Sequence, residues 1–97
     1  MTEAGRFTVP TAHPSLPGHF PGRPVVPGVV LLDEALALLL ARHPGRGLAG
    51  LPGVKFLAPV LPGQEIAVRG DAGAEGRLGF ACSAGGRDVL RGVALLA

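Results

Sequence analysis

Short apolar runs alternate with breaks of glycine and proline, and the spacing inside each run predicts its element. Residues 5–9 (Gly-Arg-Phe-Thr-Val) put Phe7 and Val9 on one face of a short strand, which Pro10 ends. From Pro10 to Pro27 there are six prolines, at 10, 14, 17, 21, 24 and 27. Each fixes its own φ and turns its predecessor away from helix, so this stretch is expected to be extended and stiff. Pro27-Gly28 then opens a helix over residues 28–42, because proline suits a first turn where its missing N–H has no intrahelical partner. Within that helix every position is apolar except Gly28, Asp33, Glu34 and Arg42. A surface helix shows a polar stripe, so one that is apolar nearly all round is expected to be buried or wrapped by other elements. His43-Pro44-Gly45 closes it, with Arg42 and His43 near the negative end of the dipole.

After a Gly/Pro-rich connector (44–53) the pattern switches to strands. Residues 54–60 form the first, followed by a Leu61-Pro62-Gly63 turn. Residues 64–69 set Ile66 and Val68 against Glu65, Ala67 and Arg69, and residues 77–83 alternate with Leu78, Phe80 and Cys82 inward. A loop (70–76) separates these two, Ala84-Gly85-Gly86 makes a hairpin turn, and residues 88–97 finish as a strand. One strand, one central helix and a meander of four strands is an α+β pattern, an antiparallel sheet packed on one helix, in a single domain over residues 1–97.

Composition adds one thing to this picture. Hydrophobic residues make up 47% and charged residues only 16%, which leaves the surface short of charge for a soluble monomer, so a homodimer or higher homo-oligomer is expected. Net charge is only +2, the basic residues are scattered and the four aromatics are all Phe, so no nucleic-acid stacking surface is expected. Cys82 is the only cysteine, which excludes an intrachain disulfide and a multi-cysteine zinc site and fits a reducing cytoplasm. The first residues lack an apolar run of signal-peptide type, and the longest apolar run (35–41) is too short to span a bilayer, so a soluble, cytoplasmic protein is expected.

The candidate chemistry sits where the proline segment meets the helix. A loop histidine is most often a surface or core-filling residue, but His19 stands between Pro17-Gly18 and Pro21-Gly22, so its backbone is tightly specified on both sides. With a pKa of about 6.5, imidazole is a competent base at neutral pH. Asp33, in the second turn of the apolar helix, is either an exposed aspartate paired with a basic residue or a desolvated carboxyl suited to act as an acid. Its rival Glu34 lies about 100° further round the helix, toward the expected solvent edge. Gly28, at the helix N-terminus, offers an N–H without an intrahelical acceptor, reinforced by the dipole and with no Cβ to keep a carbonyl oxygen away. Base, acid and electrophile are what α-proton abstraction with loss of a β-hydroxyl requires.

The stretch Gly18-His19-Phe20-Pro21-Gly22-Arg23-Pro24-Val25-Val26-Pro27-Gly28-Val29 resembles the signature of the 3-hydroxyacyl-acyl-carrier-protein dehydratases of the FabA/FabZ type, and Lys55-Phe56-Leu57-Ala58-Pro59-Val60-Leu61-Pro62-Gly63 resembles their strand and turn after the helix. The short chain is most similar to small members that serve aryl-polyene or related specialised lipid clusters. The resemblance implies a hotdog fold, an antiparallel sheet wrapped round one long helix. It makes His19 the catalytic histidine, Asp33 the acid, Gly28 the donor to the thioester carbonyl and Val25 the residue whose backbone carbonyl orients the imidazole. It further implies that the histidine and the acid of one site come from different subunits. Glu34 is the alternative acid, since Glu34-Ala35-Leu36-Ala37 imitates the glutamate branch with a one-residue shift. Ala37 departs from the glutamine often found four residues after the acid.

The expected activity is dehydration of a (3R)-3-hydroxyacyl thioester, carried on acyl-carrier protein or CoA, to the trans-2-enoyl thioester. No metal or redox cofactor is implied, because the substrate brings its own phosphopantetheine arm. Two alternatives stand beside it: a hotdog thioesterase, and a non-catalytic acyl-binding or partner subunit that requires a second hotdog chain. His13 reads as a loop residue, His43 as a helix cap and Cys82 as core. Arg23, Arg42, Arg46 and Lys55 read either as ordinary solvated charges or as a patch for an acidic carrier protein.

Overall fold

The computed structural model describes residues 1–10 and 25–97. Along the chain these form β1 (Thr2–Thr8), α1 (Gly28–Ala41), β2 (Leu48–Phe56), β3 (Glu65–Ala72), β4 (Arg77–Ala84) and β5 (Arg87–Leu96). The strands make one antiparallel sheet in the order β1-β3-β4-β5-β2, and α1 lies across one face of it. Only β3, β4 and β5 form a meander; the strand that follows the helix crosses to the far edge and pairs with β5 instead of β3. The four-strand meander read from the sequence is therefore corrected.

Period-two alternation sets the core. Ile66 and Val68 on β3, Leu78, Phe80 and Cys82 on β4, and Leu90 and Ala94 on β5 are all buried under Leu31, Ala35 and Leu39 of α1. The helix approaches closely because two strand glycines lie beneath it. A Cβ on Gly70 would stand 2.7 Å from Leu39 Cδ2, and one on Gly5 would stand 3.0 Å from Leu38 Cδ2. Turn chemistry fixes the registers. Gly63 follows Pro62 with φ +88°, as a type II turn requires, and Leu61 N–H donates to Gln64 Oε1 at 2.8 Å. Gly85 (φ +57°) and Gly86 (φ +80°) join β4 to β5.

Two expectations change. The strand expected at 54–60 runs instead from Leu48 to Phe56. Pro52 is tolerated within it because β2 is an edge strand, with its unpaired side free of ladder bonds. The chain then leaves the strand, and Val60 O turns inward to accept from Val26 N–H at 2.8 Å. The helix, expected to be wrapped, is buried on one face only: Val29, Asp33, Glu34 and Ala37 are exposed in this chain. No helix among the described residues is long and apolar enough to cross a membrane.

Candidate functional site

The site is built at the N-terminus of α1. Pro27 caps the helix in extended geometry, and its carbonyl accepts from Val30 N–H at 3.0 Å and Leu31 N–H at 3.3 Å. The first N–H groups of a helix have no intrahelical acceptor, so the Gly28 end presents donors and the positive end of the dipole. The approach to it is pinned by the Val26–Val60 bond, and Val26 is itself buried. On the other side, Leu57 N–H donates to Val89 O at 2.8 Å and holds the end of β2 against β5.

Between these two anchored segments lies an open groove of about 690 Å³, lined by residues 25–29, Leu31, Leu32 and residues 56–60. Among the described residues every lining side chain is apolar, so the groove suits a hydrocarbon chain better than a charged metabolite. Gly28 has a use here that its sequence did not reveal. The space its missing side chain leaves is filled by the Phe56 ring, whose Cε1 would stand 2.6 Å from a Cβ at that position. Phe56 and the inward turn at 57–60 were missed as site residues because the strand was expected to continue through them.

Asp33 and Glu34 are both exposed, but their neighbours differ. Asp33 lies opposite the buried Ala35 side of the helix, in a stripe with exposed Val29 and Ala37 and half-buried Leu40. Glu34 lies about 100° further round the helix, outside that stripe, and is exposed as expected. The apolar setting expected for Asp33 is present along the helix, but in this chain it is open to solvent. Val25 lines the groove. His19, along with His13 and Arg23, lies outside the described residues. Arg46 donates to Ala97 O at 3.0 Å and to Leu96 O at 3.4 Å. His43 and Arg42 line a smaller hollow of about 250 Å³ at the opposite end of the helix, beside Asp71. Cys82 is buried core as expected, and burial pushes its thiol up to about 11, opposed by Arg69 and reinforced by Asp88.

Comparison with known proteins decides the family. The ApeI-like family, described as ApeI dehydratase, matches residues 2–93. The chain belongs to the ApeI-like dehydratase family. Among its relatives, the 3-hydroxyacyl-[acyl-carrier-protein] dehydratase FabZ of Thermus thermophilus is 42% identical over 67 residues, which is 60% of this chain and 47% of that protein. The ApeI-like chain therefore spans about half the length of the curated relatives it matches. Of the solved structures, the dehydratase heterocomplex ApeI:P from Xenorhabdus doucetiae superposes with a TM-score of 0.82 at 22% identity, covering 95% of this chain and 83% of that one. A point mutant of the fluoroacetyl-CoA-specific thioesterase FlK gives a TM-score of 0.68 at 21% identity, over 96% of this chain and 84% of that one. At these identities the likeness concerns the fold, and the fold is hotdog, as the family resemblance implied.

Proposed function

We propose that this chain dehydrates a (3R)-3-hydroxyacyl thioester, reversibly, to the trans-2-enoyl thioester and water. The observation that carries the reading is the apolar groove running from the α1 N-terminus, where hydrocarbon lining ends at a set of backbone donors. In the proposed mechanism the acyl chain lies in the groove and the thioester carbonyl accepts from Gly28 N–H. His19, oriented by the Val25 carbonyl, removes the C2 proton. The enolate collapses to form the C2–C3 double bond as the C3 hydroxyl leaves, taking a proton from Asp33 directly or through a water. Glu34, further from the groove-side stripe, is the weaker candidate for the acid. The phosphopantetheine arm of an acyl-carrier protein or CoA supplies the thioester, and no further cofactor takes part.

The exposed stripe around Asp33 supports a covered state in which a second hotdog subunit completes the site, either another copy or a distinct partner; the Xenorhabdus relative is a heterocomplex. We place the reaction in the cytoplasm, in fatty-acid or aryl-polyene-type biosynthesis. The thioesterase reading has only the fold in its favour, as the FlK likeness concerns architecture alone. The test is hydration of a trans-2-enoyl carrier substrate: His19→Ala should lose activity by at least about 100-fold, the usual share of general acid–base catalysis. Undiminished hydration by that variant would remove the mechanism, and release of free thiol without hydration would favour the thioesterase.

A further inference from the structure

We infer that Phe56 selects the acyl group, admitting straight chains and rejecting those branched at C2. The inference rests on the dehydratase reading for the identity of the ligand, while its geometry comes from the fold alone. Phe56 is the last residue of β2, and the Leu57–Val89 hydrogen bond holds its backbone in place. Phe56 as a whole residue is 54% exposed, yet its ring is seated on the α-carbon of Gly28, so close that a methyl group at that position would stand 2.6 Å from Cε1, 2.9 Å from Cζ and 3.0 Å from Cδ1. All three distances are below or at the limit that a carbon contact tolerates.

The ring therefore forms the wall of the groove at the one end where donors meet hydrocarbon, beside the place proposed for the thioester carbonyl. The acyl atom next to a carbonyl held there is C2. A flat ring packed against a glycine leaves a slot for a methylene at C2, and a C2 methyl must displace the ring. Farther along, the groove is bounded by the aliphatic side chains Leu31, Leu32 and Val60, which tolerate varied chain length. Selectivity is thus concentrated at Phe56, a specificity-determining residue outside the proton-transferring set.

The experiment uses hydrolysis-resistant amide analogues, N-octanoyl and N-(2-methyloctanoyl) pantetheine amide, with binding measured by calorimetry on the full chain. Wild-type protein should prefer the straight analogue by about tenfold or more, the usual discrimination of a fitted pocket against one extra methyl group. Phe56→Ala should bring the two affinities within about twofold, and Phe56→Leu, which keeps an apolar side chain at that strand end, should fall between. In Phe56→Ala/Gly28→Ala the new methyl refills the vacated space, so part of the preference should return. Equal affinities in wild-type protein, or an unchanged preference in both Phe56 variants, would overturn the inference. Enoyl hydration is assayed in parallel. If wild-type protein discriminates as expected but hydrates no enoyl thioester, the dehydratase reading fails and the role of Phe56 in selection stands.

Discussion

Two adjacent carboxylates on α1, Asp33 and Glu34, are both exposed in the single chain and lie about 100° apart round the helix. Asp33 lies in a stripe with Val29, Ala37 and Leu40, so a molecule or subunit that covered this stripe would take Asp33 out of water. Glu34 lies about 100° away, outside the stripe. Replacing Asp33 by Asn should lower enoyl hydration by about 100-fold or more, whereas Glu34→Gln should stay within about twofold. The reverse ranking in steady-state rates would transfer the acid role to Glu34. A second residue-scale expectation concerns Cys82. Its thiol is raised from the usual 9.0 to about 11 by burial, so the folded chain keeps its proton longer than the unfolded one. That contribution to stability is fully present below about pH 9 and is lost as pH rises through about 11. Thermal melts of the wild-type chain should therefore show an alkaline decline over this window that Cys82→Ala reduces; equal declines in the two proteins would show that Cys82 contributes nothing. The inward position of Cys82 was readable from alternation with Leu78 and Phe80, but the ring seated on Gly28 was not, because a contact between residues 28 positions apart leaves no local pattern.

At the scale of elements, the sheet was legible wherever side chains alternated and glycines marked turns. β3, β4 and the 84–86 hairpin follow from Ile66/Val68, Leu78/Phe80/Cys82 and two glycines at positive φ. β2 was misplaced because Leu-Ala-Gly-Leu-Pro-Gly carries no alternation and two kinds of strand breaker, and only its edge position makes that sequence acceptable. Edge position is a property of the assembled sheet, so local pattern was blind to it. The packing of α1 on β3 is similarly non-local. Gly70 lets Leu39 descend onto the sheet, and a Cβ there would stand 2.7 Å from Leu39 Cδ2. Leu39 is buried and held among core neighbours, so it has little room to yield. Gly70→Ala should destabilise the fold by about 1–3 kcal/mol, the typical cost of overpacking. Adding Leu39→Val should recover part of that loss in denaturant midpoints. Full additivity of the two changes would show that the helix does not rest on this contact.

For the molecule as a whole, the question is what covers the outer face of α1. The sequence reading expected a helix enclosed on all sides, and the single chain encloses only the side facing Phe80 and Ile66. The rest of that apolar circumference includes Val29 (63% exposed), Leu32, Ala37 and Leu40, and the exposed Phe56, Leu57 and Leu61 extend the hydrocarbon surface beyond the helix end. A chain with only 16% charged residues has little else to keep such a surface apart from a like surface. Association that covered the stripe would reconcile the sequence pattern with the fold, because it would supply the wrapping that the apolar helix called for. In the proposed mechanism it would also give Asp33 the dry setting of a general acid. Sedimentation equilibrium at micromolar concentration should return twice the 9.8 kDa chain mass. Val29→Asp places a second carboxylate one helical turn from Asp33, within the stripe, and should shift the equilibrium to the monomer and abolish hydration together. Retained folding by circular dichroism would separate that effect from unfolding. A wild-type chain that sediments as a monomer yet hydrates enoyl thioesters would mean that one copy holds a complete site and that the stripe has no part in it.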